Sequence, residues 1–119
     1  MLTVGNKFPG FNMLGVNDSN TIIDCDVLLN EWTVMYFYPK DFTFICPTEI
    51  KDMDNLVHDA DIIGVSADNE FCKLAWKECN DDIKHITHVL CADSGLTLGH
   101  KLGIVDENNG VHYRATFII

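Results

Sequence analysis

Cys46 stands in the run Tyr36-Phe37-Tyr38-Pro39-Lys40-Asp41-Phe42-Thr43-Phe44-Ile45-Cys46-Pro47-Thr48-Glu49-Ile50, where an apolar segment gives way to a helix-like one. A thiol at such a joint is a candidate nucleophile. Pro47 suits the opening turn of a helix, because its missing N–H is not needed there. The Cys46 sulfur is therefore expected at the positive end of the helix dipole, among backbone donors with no partner inside the helix. That setting lowers a thiol pKa and raises the thiolate fraction. A cysteine nucleophile also needs donors for the charge that develops during attack and a pocket that admits its substrate. Thr43, three residues before Cys46, carries a hydroxyl that can cap the first turn or bond a substrate. Pro39 stiffens the chain ahead of the loop and can shield the thiolate from water. Arg114 lies far along the chain in an otherwise apolar strand pattern, and needs either an anion or a mouth to solvent.

The elements that must position these groups follow from the hydrophobic pattern. Thr33 to Tyr38 is β-branched and aromatic, too short for a typical helix and stopped by Pro39, so it reads as a buried central strand. Ahead of it, Phe11 to Val16 and Thr21 to Val27 flank the polar Asn17-Asp18-Ser19-Asn20, the pattern of a β-hairpin. Residues 47–59 place Ile50, Met53 and Val57 at helical spacing, which predicts a short amphipathic helix. Asp61 to Ala67 reads as a second buried strand, completing a parallel crossover unit. Asp68 is the predicted N-cap of a helix from Asn69 to about Asn80, in which Phe71, Leu74, Ala75 and Glu78 form one row and Cys72, Trp76 and Cys79 another. Thr87 to Ala92 is a third strand. Asp93-Ser94-Gly95 then caps a short helix that Gly103 closes. The Asn-Gly turn within Asp106 to Gly110 predicts a hairpin whose second arm, Val111 to Ile119, alternates along its whole length. Strands alternating with helices and ending in a hairpin indicate one three-layer α/β domain with a mixed sheet, spanning residues 1–119. The chain stops inside an apolar strand, so a C-terminally incomplete domain is expected.

Composition narrows the function. Eight basic against eighteen acidic residues give a net charge of −10 and a pI near 4.6. No Lys/Arg cluster appears, which argues against nucleic acid or an anionic membrane as partner. The N-terminus lacks a charged segment followed by an apolar one, and no run is long enough to span a bilayer, so a cytoplasmic location is expected. Five cysteines without paired spacing suit a reducing compartment better than the framework of a small secreted protein.

Pro39-x-x-x-Thr43-x-x-Cys46, within Phe37-Tyr38-Pro39-Lys40-Asp41-Phe42-Thr43-Phe44-Ile45-Cys46-Pro47-Thr48-Glu49, resembles the active-site signature of the peroxiredoxins, closest to the group of alkyl hydroperoxide reductase C and the typical two-cysteine enzymes. Gly64-Val65-Ser66, Phe71 with Leu74-Ala75-Trp76, Ala92-Asp93, Leu102-Gly103 and Arg114-Ala115-Thr116-Phe117-Ile118-Ile119 resemble family landmarks in the same order. The resemblance implies a thioredoxin-like fold and reduction of hydrogen peroxide and organic hydroperoxides. Cys46 resembles the peroxidatic cysteine, with Thr43, Pro39 and Arg114 as its companions, and Glu49 resembles a position that orders the arginine side of the pocket. It further implies a sulfenic acid at Cys46, no metal or organic cofactor, a thiol reductant protein as partner, and a homodimer or larger homo-oligomer. Trp76, Phe42 and Phe44 are candidates for packing around the pocket or at a contact between protomers.

Two features depart from the resemblance. The typical resolving cysteine lies beyond the strand on which this chain ends, and the helix after Cys46 is shorter than that of the group. Cys79 or Cys72 could take the resolving role, whereas Cys25 and Cys91 suit core packing. Cys72 and Cys79 are not expected to bridge each other, because seven helical residues separate their Cα atoms by roughly 10 Å. Cys72, Cys79, His85, His88 and Cys91 fall close together, but they lack the tight C-x2-C knuckle of a strong zinc site. The absence of C-x-x-C disfavours a disulfide reductase. A peroxide sensor or chaperone-like assembly using the same cysteine without sustained turnover, or an inactive fragment, is the alternative.

Overall fold

The computed structural model describes residues 5, 8–17, 19–25, 32–41, 46–56, 60–81 and 83–119, the side chains of Cys46, Pro47, Thr48 and Leu56 excepted. Asn17 organises the first turn: its Oδ1 accepts from the amides of Ser19 and Thr21, both at 3.0 Å. The turn joins β1 (Met13–Val16) to β2 (Ile22–Cys25) as the predicted antiparallel hairpin. β3 (Thr33–Phe37) runs parallel to β4 (Asp61–Ser66), with α1 (Cys46–Met53) and a 3-10 turn (Asp54–Leu56) in the crossover between them. The predicted helix is thus shorter than 47–59 in its regular part, and Val57 lies outside the described residues.

α2 (Glu70–Cys79) connects β4 to the parallel β5 (Val89–Ala92). Its N-cap is Asn69 and not the predicted Asp68: Asn69 Oδ1 accepts from the Cys72 amide at 2.7 Å. Asp68 is engaged elsewhere, its Oδ2 accepting from the Asp41 amide at 2.7 Å. The buried face of α2 is Lys73, Trp76 and Lys77, while Phe71 is exposed, so neither predicted row is the inward one. Lys77 supports the packing by donating from Nζ to the Asn17 carbonyl at 2.7 Å.

Asp93 caps α3 (Thr97–Leu102), accepting from the amides of Leu98 at 2.9 Å and Gly99 at 2.7 Å. Gly103 ends the helix at φ 72°, a left-handed conformation that a side chain disfavours. The predicted final strand is two strands. β7 (Val111–His112) pairs with β6 (Val105–Asp106) in a small hairpin, and β8 (Ala115–Ile118) pairs antiparallel with β3. Tyr113 and Arg114 carry the chain from one sheet to the other, which breaks the single alternation: His112 is buried and Tyr113 is exposed.

The main sheet has the order β2-β1-β5-β4-β3-β8, parallel at its centre and antiparallel on both flanks. Alternate residues serve opposite faces. Tyr36, Ile62 and Leu90 pack with Ile50 of α1 and Trp76 of α2 on one face. Met35, Phe37, Ile63, Val65 and Cys91 pack with Leu98 and Leu102 of α3 on the other. Burial of a large apolar side chain contributes about 1.5–3 kcal/mol relative to exposure, so these two clusters fix both helical layers. Mixed sheet, flanking helices and N-terminal hairpin agree with the thioredoxin-like architecture expected. Among the described residues, no helix is long and apolar enough to cross a membrane.

Candidate active site

β3 and β4 are parallel and release their chains at the same edge of the sheet, where α1 begins at Cys46 and α2 at Glu70. Tyr38, just past β3, is fully buried, and its amide donates to the Val65 carbonyl at 3.0 Å, extending the pairing beyond the strand. Pro39 follows in a half-buried bend. Thr43, with Phe42 and Phe44, lies outside the described residues.

Arg114 reaches α1 from the junction between β7 and β8. Its Nη1 donates to Glu49 Oε2 in an ion pair whose two side chains are each about two-fifths exposed, Arg114 at 43% and Glu49 at 40%. Glu49 lies three residues after Cys46, in the first turn of α1. The guanidinium is therefore docked on the turn that Cys46 opens, at the mouth to solvent that its charge requires. An open cavity of about 350 Å³ lies here, lined by Tyr36, Phe37, Glu49, Met53, Arg114 and Thr116 among others. A larger one, about 640 Å³, lies between the start of β1 and α3, among Phe11, Glu70, Asp93 and Lys101, and includes neither Arg114 nor Glu49.

Behind the bend lies a polar cluster that the sequence pattern did not reveal. Asp41 Oδ1 accepts from Tyr38 Oη at 2.7 Å and Ser66 Oγ at 3.0 Å, and the ammonium of Lys73 lies 3.2 and 3.1 Å from the two carboxylate oxygens. Lys73 also donates to Ser66 Oγ and, at 3.3 Å, to Tyr38 Oη. Both side chains of the Asp41–Lys73 pair are completely buried. Burial above all, then the Asp41 charge, pushes the Tyr38 phenol well above its ordinary value, so it stays a donor. No periodicity in the sequence marks Asp41, next to Pro39 and Lys40, as a buried charge.

A second chain of bonds ties the far end of α1 to the sheet. Asp54 Oδ1 accepts from the Thr87 amide at 2.9 Å and lies 2.8 Å from His88 Nδ1, while His88 Nε2 is 2.6 Å from Tyr36 Oη. Burial lowers the His88 pKa from its ordinary 6.5, with Asp54 opposing in part. Desolvation acts to raise Asp54, but the hydrogen bonds from His88 and Thr87 outweigh it and hold the carboxyl below its ordinary value. Tyr36 reaches His88 by crossing over Gly64, where an added Cβ would meet Tyr36 Oη at 2.5 Å.

The other cysteines are dispersed. Cys72 sits in the first turn of α2, on the side of Asp41, and burial followed by Asp41 and Asp68 raises its thiol pKa. Cys79 is exposed at the opposite end of that helix. Cys91 is buried against Cys25, whose hydrogen bond, together with desolvation, pushes the Cys91 thiol well up. Two strands paired on either side of β1 bring these two cysteines together, and Gly15 on β1 leaves room for them: an added Cβ there would lie 3.0 Å from Cys91 Sγ. Among the zinc candidates, His88 has both ring nitrogens committed to Asp54 and Tyr36. No group of three or more His, Cys, Asp or Glu that could hold a metal ion occurs among the described residues.

A model of the AhpC/TSA family matches residues 4–119. Alkyl hydroperoxide reductase C of Mycobacterium tuberculosis is 33% identical over 137 aligned positions, covering 100% of this chain and 70% of the relative. The protein of the same name from Staphylococcus aureus is 37% identical over 97 positions, covering 77% of this chain and 51% of the relative. Among solved structures, Enterococcus faecalis AhpC superposes with a TM-score of 0.89 at 31% identity, covering 95% of this chain and 71% of that one. Reduced Plasmodium vivax 2-Cys peroxiredoxin gives a TM-score of 0.89 at 28% identity, covering 98% and 77%. With a family match over nearly its whole length and the fold of these structures, the chain belongs to the AhpC/TSA family, the peroxiredoxins.

Proposed function

We propose that this protein is a thiol-dependent peroxidase that reduces hydrogen peroxide and organic hydroperoxides at Cys46. The observation that carries the assignment of the site is the docking of Arg114 on Glu49, in the first turn of the helix that starts at Cys46. A thiolate at that helix start gains from the unpaired amides and the dipole, and from a nearby cation. Cys46 attacks one peroxide oxygen in line. The S–O bond forms as the O–O bond breaks, the sulfur is oxidised to sulfenic acid, and the departing oxygen takes a proton and leaves as water or alcohol. Arg114, Thr43 and the Cys46 amide stabilise the charge building on the leaving oxygen. Pro39 shields the thiolate from bulk water.

The sulfenic acid is returned to thiol by a thiol reductant protein. The free Cys79 and Cys72 thiols are the resolving candidates within the chain, and the raised pKa of Cys72 makes it the poorer nucleophile. A cytoplasmic setting accords with Cys72, Cys79 and Cys91 remaining thiols. Self-association is supported by β8, which ends the order of the main sheet, together with the 72% exposed Ile118 that it carries.

Peroxide consumption with excess dithiol tests the assignment. Many equivalents per chain are expected for the wild type and none for Cys46→Ser. Arrest after one equivalent in the wild type would instead indicate a sensor, and full activity in Cys46→Ser would refute the site.

A further inference from the structure

Asp41 and Lys73 are an ion pair with no access to solvent, and desolvating two charges is costly unless every remaining donor and acceptor is matched. Here the matching is extensive and comes from four places. Tyr38 reaches Asp41 from the end of β3, Ser66 from the end of β4 and Lys73 from α2, while Asp68, just before α2, accepts from the Asp41 amide. Lys73 also lies over the Tyr38 ring, 5.3 Å from its centroid. The bend from Pro39 to Asp41 is thereby clamped on its side-chain and backbone atoms alike, five residues before the helix opens at Cys46.

We propose that the buried Asp41–Lys73 pair holds the bend from Pro39 to Asp41 that leads toward Cys46 and neutralises the Asp41 charge near its thiolate, so that Lys73, Asp41 and Tyr38 are positioning residues for the peroxidatic thiol. This rests on Cys46 being the reactive cysteine. The titratable and charged groups facing Asp41 are Lys73, Tyr38, Cys72 and Asp68. Lys73 is the cation in that set. Loss of Lys73 leaves the Asp41 charge uncompensated, loss of any donor to Asp41 loosens the bend, and both effects disfavour a thiolate at Cys46. The shift has one sign, upward, whichever donor is removed.

The test is the pH profile of Cys46 alkylation by iodoacetamide in the full chain, read by mass spectrometry, beside the denaturant midpoint of each variant. Lys73→Met is expected to raise the Cys46 midpoint by about one pH unit and to slow alkylation at neutral pH about tenfold. Tyr38→Phe keeps the ring and leaves no charge uncompensated, and is expected to slow alkylation about threefold in the same direction. A wild-type alkylation profile in folded Lys73→Met, with only a lowered denaturant midpoint, would reduce the pair to a structural role and overturn the proposal. Should Lys73→Met not fold, Tyr38→Phe decides alone, and an unshifted profile there overturns it. Alkylation does not depend on turnover, so a wild type with a reactive Cys46 but no peroxide consumption would sink the peroxidase assignment and leave this inference standing or falling on its own result.

Discussion

Arg114 and Glu49 are separated by 65 residues in sequence and joined by an ion pair at the head of α1. An exposed pair of this kind adds little to stability; in the mechanism proposed, its part is to hold the guanidinium at the head of α1. Arg114→Ala is expected to lower kcat/KM for peroxide about a hundredfold with little change in melting temperature, because the lost interaction belongs to the transition state. Glu49→Gln keeps the shape but weakens the hold on Arg114, and should lower the same constant by about tenfold. Stopped-flow measurement of the first oxidation step checks both, and wild-type rates in either variant would remove that residue from the site. At this scale the sequence was informative where chemistry is local: Pro39, Thr43 and Cys46 fall within eight consecutive residues, and Arg114 stood out in an apolar pattern. It was silent on Asp41 and Lys73, because a lysine on an amphipathic helix ordinarily faces water, and its partner lies 32 residues away.

The bonds from Asp54 through His88 to Tyr36 decide how the far end of α1 responds to pH. His88 is buried with its pKa below the ordinary 6.5, so as pH falls below that value the unfolded chain takes up the proton first. Stability contributed by His88 is therefore present above pH 6.5 and is lost as pH falls toward its depressed folded value. Asp54 adds a second loss, as pH falls from its ordinary 3.8 through its lowered folded value. Urea midpoints should drop between pH 7.5 and pH 5 in the wild type, and the drop should be shallower in His88→Gln, whose amide does not titrate. Identical slopes would show that His88 is not responsible. Gly64→Ala forces Tyr36 off this chain of bonds, since the new methyl would also meet Leu90 Cδ2 at 2.8 Å. A loss of about 2 kcal/mol in unfolding free energy is expected, and a neutral substitution would contradict the packing described. Element reading succeeded for β3, β4 and β5, whose apolar runs are bounded by turn residues. It failed at Asn69, where two adjacent capping residues competed, and across Tyr113-Arg114, where a strand-like pattern continues through a change of sheet.

In the molecule as a whole, parallel β3, β4 and β5 end at one edge of the sheet, with α1 and α2 on one face and α3 on the other. Crevices outside the carboxyl ends of parallel strands are the usual place for chemistry in such sheets, and Cys46 opens the helix that follows β3 there. Alternation of strands and helices made the layered α/β class legible. The strand order was not, because β1 pairs with β5 and β8 with β3 through contacts between distant parts of the chain. The central claim is that peroxide is consumed by one particular thiol among five. It is tested most directly by mapping oxidation with mass spectrometry after one equivalent of hydroperoxide, with a sulfenic acid trap present. Modification or disulfide formation at Cys46 is predicted, with Cys25 and Cys91 still reduced and no oxidation in Cys46→Ser. Oxidation that begins at Cys72 or Cys79 while Cys46 remains a thiol would contradict the account.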